Sequence, residues 1–287
     1  MVLVVTVLVL SILMVLGYAF SFSAGVSRRA ARNVRDALAR QHAAESALTY
    51  GLAVLRADGV ESEFDALTEQ WAAPEVEVEV GAEEWSISIV DADGRLNVNR
   101  AVWEPPDPEE DVDLRPALRR VVECAGGAER DFEAICAWLD PAEPIMLISS
   151  LKDAPDLDPD LFSPEPGEPA LDALLTTHSR HVNANTASEE VLGALLGDEE
   201  TTGALLQRRD RQPFGTRAEL EAFLDTLGAP ESVLDAARFL DVTSEFFIIS
   251  ISNVGPRRAD DLTAFVRRSG NAVQVLHLRR GPEEENQ

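Results

Sequence analysis

Residues 2–22 (VLVVTVLVLSILMVLGYAFSF) carry no charged side chain, and Arg28, Arg29, Arg32 and Arg35 follow within a stretch that still favours helix. About 20 apolar residues at ~1.5 Å rise each match a hydrocarbon layer of ~30 Å, so the run reads as a bilayer span. The helical pattern continues past it. Residues 24–55 lack proline and are rich in alanine, with Val34/Leu38 and Leu48/Leu52/Leu55 at helical spacing. This predicts one rod of roughly 80 Å, half in lipid and half in water. A secretory signal peptide is basic ahead of a shorter apolar core, and a soluble core helix is seldom apolar on every face, so an anchor is the better reading. The positive-inside rule assigns the four arginines to the cytoplasm, whereas the remainder reads as exported. A short basic leader ahead of Met1 is the expected reconciliation.

The 287 residues, 45% of them hydrophobic, suffice for the anchor and one or two domains. A net charge of −26 disfavours nucleic acid as a partner. Cys124 and Cys136 are too few for a disulfide framework and too far apart for a CxxC motif. They leave two readings: one disulfide in an oxidising compartment, or two separately buried thiols.

Residues 62–71 (SEFDALTEQW) read as helix, after which the period changes. VEVEV (76–80) and EWSISIV (84–90) alternate apolar and polar residues around Gly81, which predicts a hairpin. A proline-rich acidic loop at 105–113, short helices at 114–124 and 131–139, a second proline-acid stretch at 153–169 and a helical series at 170–240 follow. The strand pattern returns at 244–252 and 271–280, with RRADDLTAFVRR between them ambiguous. The order rod, strands, helices, strands predicts an α+β fold, in which a long N-terminal helix packs on a small antiparallel sheet and a mostly helical domain of helix-hairpin-helix or SAM-like type is inserted into that sheet. The expected divisions are 1–23 for the membrane half of the helix, 24–104 for its soluble half with the first strands, 105–241 for the insert, 242–281 for the closing strands and 282–287 for a tail. Leu48, Leu52 and Leu55 form the stripe the sheet should cover, and Val34 and Leu38 extend the packing face.

RLNVNRA (95–101) and HVNANTA (181–187) share an N-x-N-x-A core. Asn97/Asn99 and Asn183/Asn185 each stand two apart, suited to bonding backbone where extended chain turns into helix. Thr186 with Glu189, and Thr216 with Glu219, have capping-box spacing. The segment from 183 to about 224 also resembles a DNA-type helix-hairpin-helix unit, but its turn Gly197-Asp198-Glu199-Glu200-Thr201 sets carboxylates where a phosphate would sit.

With the N-terminal helix, the two NxN motifs, Trp138-Leu139-Asp140, NANTA and FFIISIS in this order, the chain resembles the protein K family of the general secretion pathway, minor pseudopilins of the type II secretion system. The resemblance implies a single-pass inner-membrane protein with a pilin-like domain and helical insert in the periplasm. It implies partners in the I- and J-type minor pseudopilins and in the pseudopilus, whose tip the family forms and whose assembly it is thought to start. Major pilins carry a glutamate near position 5 of the mature helix that K subunits lack; Val4, Val5 and Thr6 stand there, which suits a terminal subunit. The stretch after Trp138 is shorter than in many relatives. Some relatives bind calcium, and the acidic residues of 107–113 and 153–160 are the candidate ligands, without EF-hand spacing.

GxSxG, HExxH and GxxxxGK[ST] motifs are absent from the sequence, and His178/His181, apart from His42 and His277, read as surface histidines. The expectation is a noncatalytic scaffold without cofactor. Its N-terminal helix would pack on partner helices, its insert would cap the assembly, and its arginines at 28–35 would meet neighbouring acids or lipid headgroups. A membrane-tethered DNA-uptake protein and a minor subunit of a type IV pilus are the alternative readings.

Overall fold

A computed structural model describes residues 2–81, 83–102, 112–140, 143–164, 167–255 and 261–281. Most of the acidic loop at 105–113 and the tail at 282–287 lie outside the described residues. Helix α1 (Val2–Glu61) runs unbroken for 60 residues, about 90 Å at ~1.5 Å per residue. It is long and apolar enough near its N-terminus to cross a membrane. Its described side chains up to residue 39 are exposed in the isolated chain, apart from half-buried Ala24 and Gly25.

Above residue 42 the helix lies on a five-stranded sheet of order β1-β2-β7-β8-β9. Its strands are β1 (Val76–Val80), β2 (Glu83–Asp91), β7 (Phe246–Asn253), β8 (Leu262–Ser269) and β9 (Ala272–Arg280), each antiparallel to its neighbours. The predicted hairpin is β1–β2, and the ambiguous 257–268 segment becomes strand from Leu262 onward. Alternation sends Trp85, Ile87, Ile89, Phe247, Ile249, Ile251, Leu262, Ala264 and Val266 toward α1. The helix answers with Ala43, Ala44, Ala47, Leu48, Gly51 and Leu55, while Leu52 is half-buried. This seam is mainly small residues at fourfold spacing, so the helix axis can sit close to the strands. A Cβ on Gly51 would stand 3.0 Å from Ile249 Cγ2. Val34 and Leu38 lie below the sheet and are exposed, so they do not form part of the spine of the chain's own domain.

Residues 62–71 do not form the expected helix; only a short 3-10 turn, Gln70–Ala72, is present. Side chains capture the backbone instead: Glu69 accepts from the Ala66 N–H at 2.9 Å and from Trp71 Nε1 at 3.0 Å, and the Ser62 hydroxyl donates to the Phe64 carbonyl. Trp71 is thereby held edge-on to Phe247, with ring centroids 5.2 Å apart.

The helical domain leaves the sheet after Asp91 and returns at Phe246. These are the ends of neighbouring strands, with Asp91 opposite Phe247, so the chain exits and re-enters at one place and the insert needs no gap in the ladder. The insert holds β3 (Leu96–Asn97), α2 (Val98–Ala101), α3 (Arg115–Cys124), α4 (Glu129–Trp138), α5 (Leu171–Leu174), β4 (Leu175–Thr176), β5 (Val182–Asn183), α6 (Glu189–Leu196), α7 (Glu199–Arg211), α8 (Arg217–Leu227), α9 (Glu231–Ala237) and β6 (Leu240–Asp241). The insert thus begins earlier than the expected boundary at 105, because Leu96, Val98 and Ala101 are buried in the helical core with Leu118, Ile135, Leu175, Leu192 and Phe214. That core is separate from the α1–sheet core.

Candidate functional site

Two features stand out as candidate sites: the uncovered lower half of α1 and the polar junction between the helical domain and the αβ domain. The junction starts from Arg268, the last inward position of β8. Alternation places it on the face that is apolar at Leu262, Ala264 and Val266, so its charge must be answered inside. Its guanidinium pairs with Asp58 at the end of α1 and Asp65 just beyond, donates to the Ser244 carbonyl at 3.1 Å and lies 4.7 Å from the Phe247 ring centroid. Asp65 accepts from the Ser244 N–H at 2.6 Å. Asp91, last residue of β2, accepts from the hydroxyls of Ser244 and Thr186 and from Asn183 Nδ2. Asp93 accepts from the N–H groups of Glu245 and Phe246.

Burial dominates the electrostatics here. It raises Asp65 to about 6 against the attraction of Arg268, and it raises Asp58 with help from the negative charge of Glu69. Asp91 is raised by burial, and Asp93 is raised well above the ordinary value by burial and by Asp91 beside it. Burial works to lower Arg268, but the attraction and hydrogen bonds of Asp65 and Asp58 hold it above its usual value. Asp58, Asp65 and Glu69 each bring a carboxylate oxygen within 4.8 Å of the others, yet Arg268 already supplies the positive charge to the first two.

The two NxN motifs adopt one design twice. In each, the first asparagine turns the chain: Asn97 Oδ1 accepts from the Asn99 and Arg100 N–H groups at 3.0 and 3.3 Å, and Asn183 Oδ1 accepts from the Asn185 N–H at 2.9 Å. The second imitates a strand partner for a remote residue. Asn99 pairs with both the N–H and the carbonyl of Ile145, at 3.0 and 2.8 Å, while Asn185 pairs with both backbone groups of Phe214, each at 2.9 Å. The first asparagines also reach outward, Asn97 to the Ser179 carbonyl and Asn183 to the Asp65 carbonyl. The second copy therefore bolts the helical domain to the junction.

Thr186 does not cap α6. Its hydroxyl is taken by Asp91, Ser188 is the N-cap, accepting from the Val191 N–H, and Glu189 is exposed in the first turn. Thr216 does cap α8, but Glu219 reaches the Gly215 N–H instead of closing the box on Thr216. Gly197 ends α6 at φ +67, and Asp198 turns its carboxylate onto the Thr201 N–H at the start of α7. An acid of the chain thus already occupies the position where a helix N-terminus would receive a phosphate. The other side of Gly197 is packed by Arg120, which donates to the Ala194 carbonyl.

Cys124 and Cys136 are both free, the first exposed and the second half-buried. Cys136 on α4 lies among Arg115, Arg119 and Phe132 near the start of α3, whereas Cys124 ends α3 near Glu190, so the thiols stand apart and, of the two readings, the separate thiols hold, with Cys124 exposed rather than buried. His178 and His181 are not surface residues. Each is half-buried against aromatics, His178 on Phe246 and Phe265 and His181 on Phe239, and burial lowers both. In the 153–160 stretch, Asp158 bonds the Asp160 N–H with one oxygen and meets Arg130 with the other, which commits it to capping. Among the described residues, the acids of this stretch do not belong to a group of three carboxylates within 4.8 Å of one another; residues 107–111 lie outside the described set.

Residues 182–238 match the family model for type II secretion system protein K. That segment is the second NxN motif and the α6–α9 series. The fold matches a chain of the crystal structure of the GspK–GspI–GspJ complex from the enterotoxigenic Escherichia coli type 2 secretion system, with a TM-score of 0.71 and 17% identity over 89% of this chain and 99% of that one. No curated protein matches the sequence. The likeness to protein K inferred from motif order therefore has support from a family model and from the fold. The shared fold is a long helix on an antiparallel sheet with helices inserted into it.

Proposed function

We propose that this chain is a K-type minor pseudopilin of a type II secretion system, anchored in the inner membrane by the lower part of α1 with its folded domains in the periplasm. It joins I- and J-type minor pseudopilins at the pseudopilus tip, where it starts assembly or closes it. The observation that carries this reading is the arrangement of domains: one fold match covers 89% of this chain, taking in the helix-on-sheet domain and its helical insert together. The lower half of α1, including Val34 and Leu38, offers an apolar surface that the chain itself leaves open, and partner helices are its natural cover. Hydrogen bonds from Asn183, Thr186 and Ser244 to Asp91 and Asp65 tie the insert to the sheet domain, which suits a cap. Co-expression of the full chain with the neighbouring I- and J-type subunits tests the assignment. Elution of a three-chain complex from detergent-solubilised membranes is expected, and elution of this chain alone would contradict it.

A further inference from the structure

The chain is strongly acidic as a whole, with a net charge of −26, yet β9 (Ala272–Arg280) holds no acidic residue and ends in Arg279 and Arg280. β9 is an edge strand of the sheet. Residues 274–280 of β9 are exposed throughout, including Val275, Leu276 and Leu278, and its outer backbone edge faces no strand among the described residues. A long, apolar, unprotected edge is a template for pairing with another chain. At its end Arg280 bonds Glu45 at 2.8 Å, and a groove of about 330 Å³ continues from Arg280 and Leu262 down α1 past Leu38 to Val34.

We infer that β9 and this groove form the docking edge for an acidic strand of a neighbouring pilin-like subunit, one that alternates apolar and acidic side chains. The inference rests on the function proposed above. Lipid headgroups are a poor occupant: Glu45 stands 22 residues beyond residue 23, about 33 Å along α1 from the end of the span. The chain's own opposite edge shows the chemistry required, since β1 reads VEVEV with Glu77 and Glu79 exposed. A β1-to-β9 contact between two copies, however, is head-to-tail and produces open fibres unless its rotation closes. A single copy in a tip complex calls for the same chemistry on a different subunit.

A photo-crosslinking residue in place of Leu276, with the same residue in place of Glu79 as the opposite-edge control, tests this in the full chain co-expressed with the I- and J-type subunits. Position 276 is expected to crosslink to one of those subunits and position 79 is not. Arg279→Glu is expected to lower the recovered partner about fivefold, with unchanged unfolding of the chain. Should that variant unfold, the crosslinking arm decides alone. Crosslinks from 276 only to a second copy, only to lipid, or to nothing while the wild-type complex forms would overturn the inference and leave the proposed function standing, as would full partner recovery by a folded Arg279→Glu chain. Failure of the wild-type chain to form any complex would overturn both.

Discussion

Arg268→Ala is the sharpest probe of the junction. The arginine side chain is 8% exposed and its partners Asp65 and Asp58 are 2% and 13% exposed, so removing it strands two carboxylates in a site that water barely reaches. Breaking a buried pair from one side costs about 3–5 kcal/mol, which for a domain of this size lowers the midpoint of thermal unfolding by roughly 10 °C. The loss must depend on pH, because a stranded Asp65 escapes the penalty by taking up a proton, and with Arg268 gone its affinity for that proton rises above the value of about 6. Urea unfolding of the detergent-solubilised chain, followed by the fluorescence of Trp71 and Trp85 in the αβ core, reads the effect. The variant is expected to lose most of the stated stability at pH 7.5 and clearly less at pH 5. A loss below about 1 kcal/mol at pH 7.5, or the same loss at both pH values, would refute the account of a buried charge hub.

In the wild-type chain, burial raises Asp65 in the folded state above its unfolded value of 3.8. The contribution of this group to stability is therefore fully present below pH 3.8 and is lost as pH rises through about 6; Asp91 and Asp93 act with the same sign. Glu45, lowered to about 2 chiefly by its hydrogen bonds from Arg280 and Gln41, acts oppositely and only below its unfolded value of 4.5. A urea titration at several pH values should show unfolding free energy falling between pH 4 and pH 6, and Asp65→Asn should flatten that slope. Asn185→Ala leaves both backbone groups of buried Phe214 without their partner and should cost about 2–3 kcal/mol, whereas Glu189→Ala on the exposed first turn of α6 should change unfolding by less than about 0.5 kcal/mol. Thiol titration under denaturing, non-reducing conditions should count two thiols per chain; a count of zero would show a disulfide between cysteines that the structure holds as free thiols at different places on α3 and α4.

The long helix, the alternating strands and the NxN motifs were legible in the sequence because each follows from a local rule: an uncharged run, a period of two, an asparagine spaced to turn its own backbone. The seam of Ala44, Ala47 and Gly51 escaped notice since a search for large apolar residues favours Leu52, which is only half-buried, over the small ones that let helix and sheet approach. Val34 and Leu38 share the helical phase of that seam, and phase alone does not say where along the rod the sheet begins. The hub was hidden for a different reason. Asp58, Asp65, Asp91 and Asp93 lie far from Arg268 in sequence, and in a chain with 51 acidic residues no single aspartate stands out. Its one local sign was Arg268 itself, a charge at an inward position of an alternating strand. Thr186 matched the capping-box spacing, but Asp91, 95 positions earlier, took its hydroxyl. Likewise, residues 62–71 have a helical pattern that the side chains of Glu69 and Ser62 override by binding the backbone.

Under the proposed function, a membrane-anchored helix presents a noncatalytic head to sibling subunits during export. This is tested most directly by measuring secretion of folded proteins in cells that lack this chain and are supplied with it again. The account predicts that export stops without the chain and resumes with the full-length form, but not with a form in which residues 2–23 are replaced by a cleaved signal peptide, even though that form folds. Undiminished export in its absence, or full rescue by the unanchored form, would contradict it.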